Sequence, residues 1–234
     1  MVIKPNAAVK WFWVVMTLLS PWAHAANFPS SPDIERAYQR FLPYHTQITQ
    51  RLRQYSPFLT RVSHQLKAQS LPQELLLLPM LESSLNRNAV SHAQAAGLWQ
   101  LMPATAKRFG LKVTPTHDQR LDPELSTKAA LSYLRFLYRK FDQDLSLTLA
   151  AYNAGEGRVM RAIGQSNTRQ FARLPLPLES QQYVSRFYAL TRLIDIHTLI
   201  TQSEFNLRLF GNKKAMIRQP LIDLSPLKPL IQIE

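Results

Sequence analysis

Cysteine is absent from the 234-residue sequence. That removes disulfide scaffolds, Cys-ligated zinc, iron–sulfur clusters, thiol nucleophiles and an N-terminal lipid-bearing cysteine. Glycine is confined to Gly97, Gly110, Gly155, Gly157, Gly164 and Gly211, too few for a Gly-rich phosphate loop or the many tight turns of a β-propeller. Acids are short as well: 15 Asp+Glu stand against 28 Lys+Arg, a net charge of +13. Charged residues make up only 18% and hydrophobic residues 46%, which excludes a largely disordered chain and supplies one sizeable core. A mainly α protein with little or no β-structure is expected.

The N-terminus reads as an address. Lys4 and Lys10 precede an apolar run from Trp11 to Leu19, and Pro21-Trp22-Ala23-His24-Ala25 follows. This is the layout of a secretory signal peptide over residues 1–25, cut after Ala25. The run is about half the ~20 residues needed to span a bilayer, so no stable membrane anchor is expected after cleavage. The expected location is the periplasm or the medium. Cleavage removes two lysines and no acid, and the basic remainder should be drawn to anionic material such as cell wall. Export argues against nucleic acid as the partner.

Residues 26–69 are expected to form a helical N-terminal lead-in. Asp33–Arg53 carries Ile34, Ala37, Phe41 and Ile48 in helical register, with Pro43 placed to divide it, and a second helix runs from Pro57 to about Ala68. Ser70-Leu71-Pro72-Gln73 resembles a capped helix start for Glu74–Ser83, which is apolar on every face beyond its first turn. Asp122-Pro123, Leu145–Ala151 and Gly155–Gly164 mark further helices, and Gln181–Ile200 the last long one. A catalytic unit over 70–200 and a basic C-terminal tail over 201–234 complete the expected organisation.

Glu82 closes the Leu/Pro/Met-rich helix. An ionised carboxylate costs several kcal/mol to bury unless it is paired or its pKa rises. Glu82 is therefore either a structural partner for Arg87 or an acid that keeps its proton near neutral pH, ready for a leaving oxygen. Two loops bear on that choice. Gly97-Leu98-Trp99-Gln100-Leu101-Met102-Pro103 precedes a Pro-initiated helix, and Ala151-Tyr152-Asn153-Ala154-Gly155 breaks between helices. Amides beside aromatic faces are how proteins grip sugars.

Together these stretches resemble the soluble lytic transglycosylase catalytic domain. The resemblance rests on Glu82-Ser83, the Gly97–Pro103 stretch, Ala151–Gly155, and a late Glu179-x-x-x-Tyr183-Val184. Residues 33–195 follow the order of the membrane-bound lytic murein transglycosylase D subgroup. The resemblance implies a lysozyme-like fold and cleavage of the MurNAc–GlcNAc β-1,4 bond of peptidoglycan. In that reading Glu82 acts as acid and then base, leaving 1,6-anhydroMurNAc ends. It also implies that Ser83 and Gln100 orient the glutamate and sugar groups. Tyr152, Asn153, Glu179 and Tyr183 would line the cleft, with Met102 in its wall. The alternatives are a hydrolytic muramidase on the same bond and a catalytically silent glycan-binding protein.

The chain departs from the subgroup in lacking the lipid-anchoring cysteine and LysM wall-binding repeats. Trp99 stands where the wider family has methionine, and Ser180-Gln181 where Thr-Arg is frequent. No cofactor and no metal is expected, because His24, His45, His64, His92, His117 and His197 form no H-E-x-x-H pair. Gly155-x-Gly157 follows a helix rather than a strand, and Ser225-x-x-Lys228 lacks the companion motifs of penicillin-binding enzymes. Arg51, Arg53, Arg61 and Lys213-Lys214 read as solvated faces.

Overall fold

The computed structural model describes residues 31–201. The expected signal peptide and nearly all of the expected tail lie outside them. Among the described residues all long elements are helices, and extended pairing is limited to isolated bridges such as Val90 with Ala96 and Ala96 with Leu101.

The lead-in forms α1 (Ser31–Phe41), α2 (His45–Gln54) and α3 (Ser56–Ala68). Pro43 sits in a 3₁₀ turn, Leu42–Tyr44, which divides α1 from α2 as its missing N–H dictates. Ala37 and Phe41 of α1 and Ile48 and Leu52 of α2 are buried. The lead-in is thus part of the core rather than a loose cover.

The helix expected over Glu74–Ser83 is two elements: a 3₁₀ segment, Gln73–Leu77, followed by α4 (Leu78–Ser83). The expected serine cap is not made. Ser70 adopts a left-handed turn, and Gln73 bonds across to α3, accepting from the Ser63 hydroxyl at 2.6 Å. Pro79 supplies no N–H to the carbonyl four residues back, so the first segment cannot continue as a regular α-helix. Leu75 to Leu78, Met80 and Leu81 are each at most 1% exposed. The segment is central, as an all-round apolar helix must be.

Beyond it come α5 (Pro103–Arg108), α6 (Pro123–Lys140), α7 (Leu145–Ala154), α8 (Glu156–Ser166) and α9 (Leu178–Leu193). Asp122 caps α6 by accepting from the N–H groups of Glu124 and Leu125, and Asp144 caps α7 by accepting from Leu147. The last helix starts earlier than expected and ends at Leu193, not Ile200. There Asp195 interrupts it by accepting from the Thr198 N–H and hydroxyl, and helical backbone resumes at Ile196. Helix α9 packs against α1, α4 and α7, while α7 also packs against α6 and α8. The C-terminal end of α4 therefore meets α9 at the centre of the molecule.

Candidate active site

Glu82 is the penultimate residue of α4, held there by the buried leucines that precede it. It is half-buried, whereas the apolar residues that precede it in the helix are sealed. The Tyr183 hydroxyl, from α9, donates to its Oε1 at 2.5 Å. Burial pushes the Glu82 carboxyl up to about 8, and the Tyr183 hydrogen bond, which favours the ionised form, pulls only partly in the other direction. Arg87 is exposed and makes no ion pair with Glu82 among the described residues. Glu82 is held by Tyr183 and not by Arg87, and its carboxyl lies above the ordinary carboxylate range.

Two tyrosines enclose the carboxyl. Tyr183 is 1% exposed, and Tyr152, at the end of α7, is half-buried with its hydroxyl donating to the Trp99 carbonyl at 2.7 Å. Burial, reinforced by the Glu82 charge, holds both phenols far above their ordinary range, so both remain donors. Tyr133 of α6 stacks on Tyr152 with ring centroids 5.4 Å apart, which fixes the Tyr152 ring from behind.

The loop between α4 and α5 supplies the other side. The Ser83 hydroxyl donates to the carbonyls of Pro79 (3.1 Å) and Leu98 (3.0 Å), so it ties the end of α4 to this loop instead of touching the carboxylate. Gln100 has a left-handed backbone, and its Nε2 donates to the carbonyls of Gly97 and Ala89. The Trp99 ring is fully buried, with Nε1 donating to Thr127 of α6. Met102, just before α5, is 45% exposed, an apolar surface suited to a cleft wall. Asn153 is half-buried beside Tyr152. Glu179 is exposed in the first turn of α9, one turn ahead of Tyr183 on the same helix.

Sequence reasoning missed the residue that holds this loop. Arg120 is 5% exposed, pairs with Asp118 at 2.6 Å, and donates to the carbonyls of Gln94 (2.6 Å) and Leu101 (2.9 Å). An acid and a base two residues apart in a short polar segment were its only trace in the sequence. No group of three or more His, Cys, Asp or Glu that could hold a metal occurs among the described residues. No described helix is long and apolar enough to cross a membrane.

Residues 62–174 match the transglycosylase SLT domain family. The chain carries a transglycosylase SLT domain. It is 39% identical over 172 residues to the membrane-bound lytic murein transglycosylase D of Escherichia coli K12, covering 72% of this chain and 38% of that protein. It is 39% identical over 92 residues to the soluble lytic murein transglycosylase of the same strain, covering 38% of this chain and 14% of that one. The crystal structure of the 70 kDa soluble lytic transglycosylase of Escherichia coli superposes with a TM-score of 0.50 at 30% identity, covering 62% of this chain and 25% of the other. The fold around the SLT domain is thus lysozyme-like and helical. The chain spans less than two fifths of the length of these curated relatives. Tyr183 and the helices α1 and α2 lie outside the matched family segment.

Proposed function

We propose that the protein is an exported lytic transglycosylase that cleaves the MurNAc–GlcNAc β-1,4 bond of peptidoglycan, with Glu82 as its single acid and base. The observation that carries this reading is the half-buried Glu82 carboxyl, whose pKa burial raises to about 8 and which Tyr183 holds by a hydrogen bond. The names of the relatives supply the substrate class, since those proteins are murein transglycosylases.

Glu82 gives its proton to the glycosidic oxygen as the bond to the muramic C1 breaks. The substrate's own N-acetyl carbonyl oxygen bonds to C1 and carries the developing positive charge as an oxazolinium ring. Glu82, now a carboxylate, takes the proton from the muramic C6 hydroxyl. The C6 oxygen then bonds to C1, the N-acetyl oxygen leaves, and Glu82 ends protonated as it began. No water is consumed, and the product is a 1,6-anhydro sugar.

Tyr183 shares the negative charge on Glu82 in the intermediate state without giving up its own proton. A glycosidase with a protein nucleophile or base requires a second carboxylate across the bond. Glu156 is engaged by Arg108 at 2.6 Å, and Glu179 is exposed in the first turn of α9. A substrate-borne nucleophile fits that arrangement. Gln100, Asn153, Tyr152 and Glu179 would meet the sugars and Met102 the apolar face of the strand, while Ser83 acts through the loop it ties to α4.

The N-terminal signal pattern supports export, and the net charge of +11 that remains once Lys4 and Lys10 are removed supports attraction to an anionic wall. Digestion of purified cell-wall sacculi with the protein and with Glu82→Gln, followed by mass spectrometry of the products, tests the reading. Anhydro products lighter by one water than hydrolytic ones, abolished in Glu82→Gln, support it. Reducing-end products would make the protein a muramidase. Strand binding without cleavage would make it a glycan-binding protein.

A further inference from the structure

Arg51 is expected from the sequence to lie on a solvated face, yet it is half-buried and its Nε donates to the Ser84 carbonyl at 3.0 Å. Ser84 caps α4 two residues after Glu82. We propose that Arg51 is a positioning residue for Glu82: the lead-in helix α2 fixes the C-terminal turn of α4 and with it the direction of the carboxyl. This inference rests on the reading of Glu82 as the acid.

The turn after Glu82 needs an external hold. Helices commonly end on glycine because the left-handed backbone of the terminal turn disfavours a side chain. Here Ser84 and Leu85 both adopt it, with φ of 51° and 60°. The turn closes through Ser84 N–H to Met80 O and Leu85 N–H to Pro79 O, both at 3.1 Å. Leu85 is fully buried, which anchors one side. Arg51 anchors the other, as a cation at the negative end of a short helix. Arg51 is itself well placed: Ile48 and Leu52 pin α2 in the core, and the Tyr55 ring lies 5.5 Å below its guanidinium. The lead-in also holds the second half of the pair. Helix α1 packs along α9, where Arg192 bonds to Glu35 and lies over the Tyr38 ring, and α9 carries Tyr183.

The groups facing Glu82 are Tyr183 from α9 and Tyr152 from α7, with Tyr133 of α6 behind them, while Arg51 approaches only the carbonyl side of the turn. This gives the test a sign. A cation acting through space would hold the carboxyl pKa down, so its removal would raise it. A positioning residue keeps the carboxyl in its dry setting, so its loss lets water in and lowers it.

The experiment measures initial rates on purified sacculi from pH 5 to 10 for the full chain, Arg51→Leu, Arg51→Lys and Glu82→Gln, with folding of each followed by circular dichroism. The expected result for Arg51→Leu is a drop in kcat of about tenfold with KM within about twofold, as for a misplaced catalytic group. The high-pH limb of its profile should move down by about one pH unit, with Arg51→Lys between it and the unaltered protein. An unchanged kcat and profile in folded Arg51→Leu overturns the inference, as does an upward shift of the limb. Should Arg51→Leu not fold, Arg51→Lys is read by the same two quantities. Both are then expected to move in the same direction by less, and no movement overturns the inference. Activity surviving in Glu82→Gln would instead overturn the reading of the acid.

Discussion

The Tyr183 hydroxyl reaches Glu82 across 101 residues of chain and donates to Oε1 at 2.5 Å. Burial raises the Glu82 pKa and this bond lowers it, and burial wins, leaving the carboxyl at about 8. In the proposed mechanism the acid gives a proton and takes one back, and that needs both influences. Burial alone would make the carboxylate too costly to form, and the hydrogen bond alone would leave no proton to give at neutral pH.

Tyr183→Phe is therefore expected to raise the Glu82 pKa further, because the lost bond favours only the ionised form. The high-pH limb of the rate profile should move up by about one pH unit, and kcat should fall by roughly tenfold, the scale of one hydrogen bond to a charged group. The profile of initial rate against pH on sacculi measures both. Phenylalanine fills the same buried space, so the melting temperature should change little.

The raised pKa also has a consequence for stability. Unfolded, Glu82 ionises near 4.5; folded, it does so near 8. Between these values the folded state holds a proton that the unfolded state has lost, so stability falls as pH rises through this window. Below the window both states are protonated, and above it both are ionised. Glu82→Gln removes that slope. Urea denaturation from pH 4 to 9 should show the variant gaining on the unaltered protein by on the order of 1–3 kcal/mol by the top of the range.

Much of this site was legible because Glu82 contradicts its surroundings: a carboxylate after seven apolar residues demands a reason. Helix starts at Asp122-Pro123 and Pro103 were equally plain, since a proline in the first turn of each, and the Asp122 cap of the first, are local chemistry. The break within residues 73–83 was hidden because an all-apolar run carries no period to distinguish one helix type from another, although Pro79 marks where hydrogen bonding must change. The early end of α9 turned on one capping aspartate, Asp195. Arg51 and Arg120 were invisible as site builders. Both act by donating to carbonyls of distant residues, and every residue has a carbonyl.

Arg120 offers a direct trial of the loop's importance. Replacing it with methionine keeps the bulk but removes the guanidinium from Asp118 and from the carbonyls of Gln94 and Leu101, leaving Asp118 only the N–H of residue 120 and the Leu101 carbonyl only the Ala96 N–H. Because the Asp118 left behind is partly open to solvent, the expected cost is that of lost hydrogen bonds to a charged group, on the order of 2–3 kcal/mol, and chemical denaturation should show a loss of that size. The Trp99 carbonyl that receives Tyr152 and the Gln100 amide ride on the same loop. Turnover of sacculi should therefore fall at temperatures where the variant is still folded, and restoring stability with added osmolyte should not restore the rate.

Gly97 separates close contact from backbone preference in the same loop. Its φ is +80°, and a methyl group there would lie 1.9 Å from the Arg120 carbonyl oxygen, far inside any tolerated contact. That oxygen belongs to backbone and cannot swing aside as a flexible side chain would. Gly110 also has positive φ, at +90°, but a methyl group there meets nothing within 4 Å. Gly110→Ala should cost only the left-handed penalty of about 1–2 kcal/mol and leave turnover intact. Gly97→Ala bears the same penalty plus displacement of the loop from Arg120, and should lose at least twice as much stability along with most of the activity. Equal losses in the two variants, measured by denaturation, would mean that the approach of Gly97 to Arg120 contributes nothing to holding the cleft.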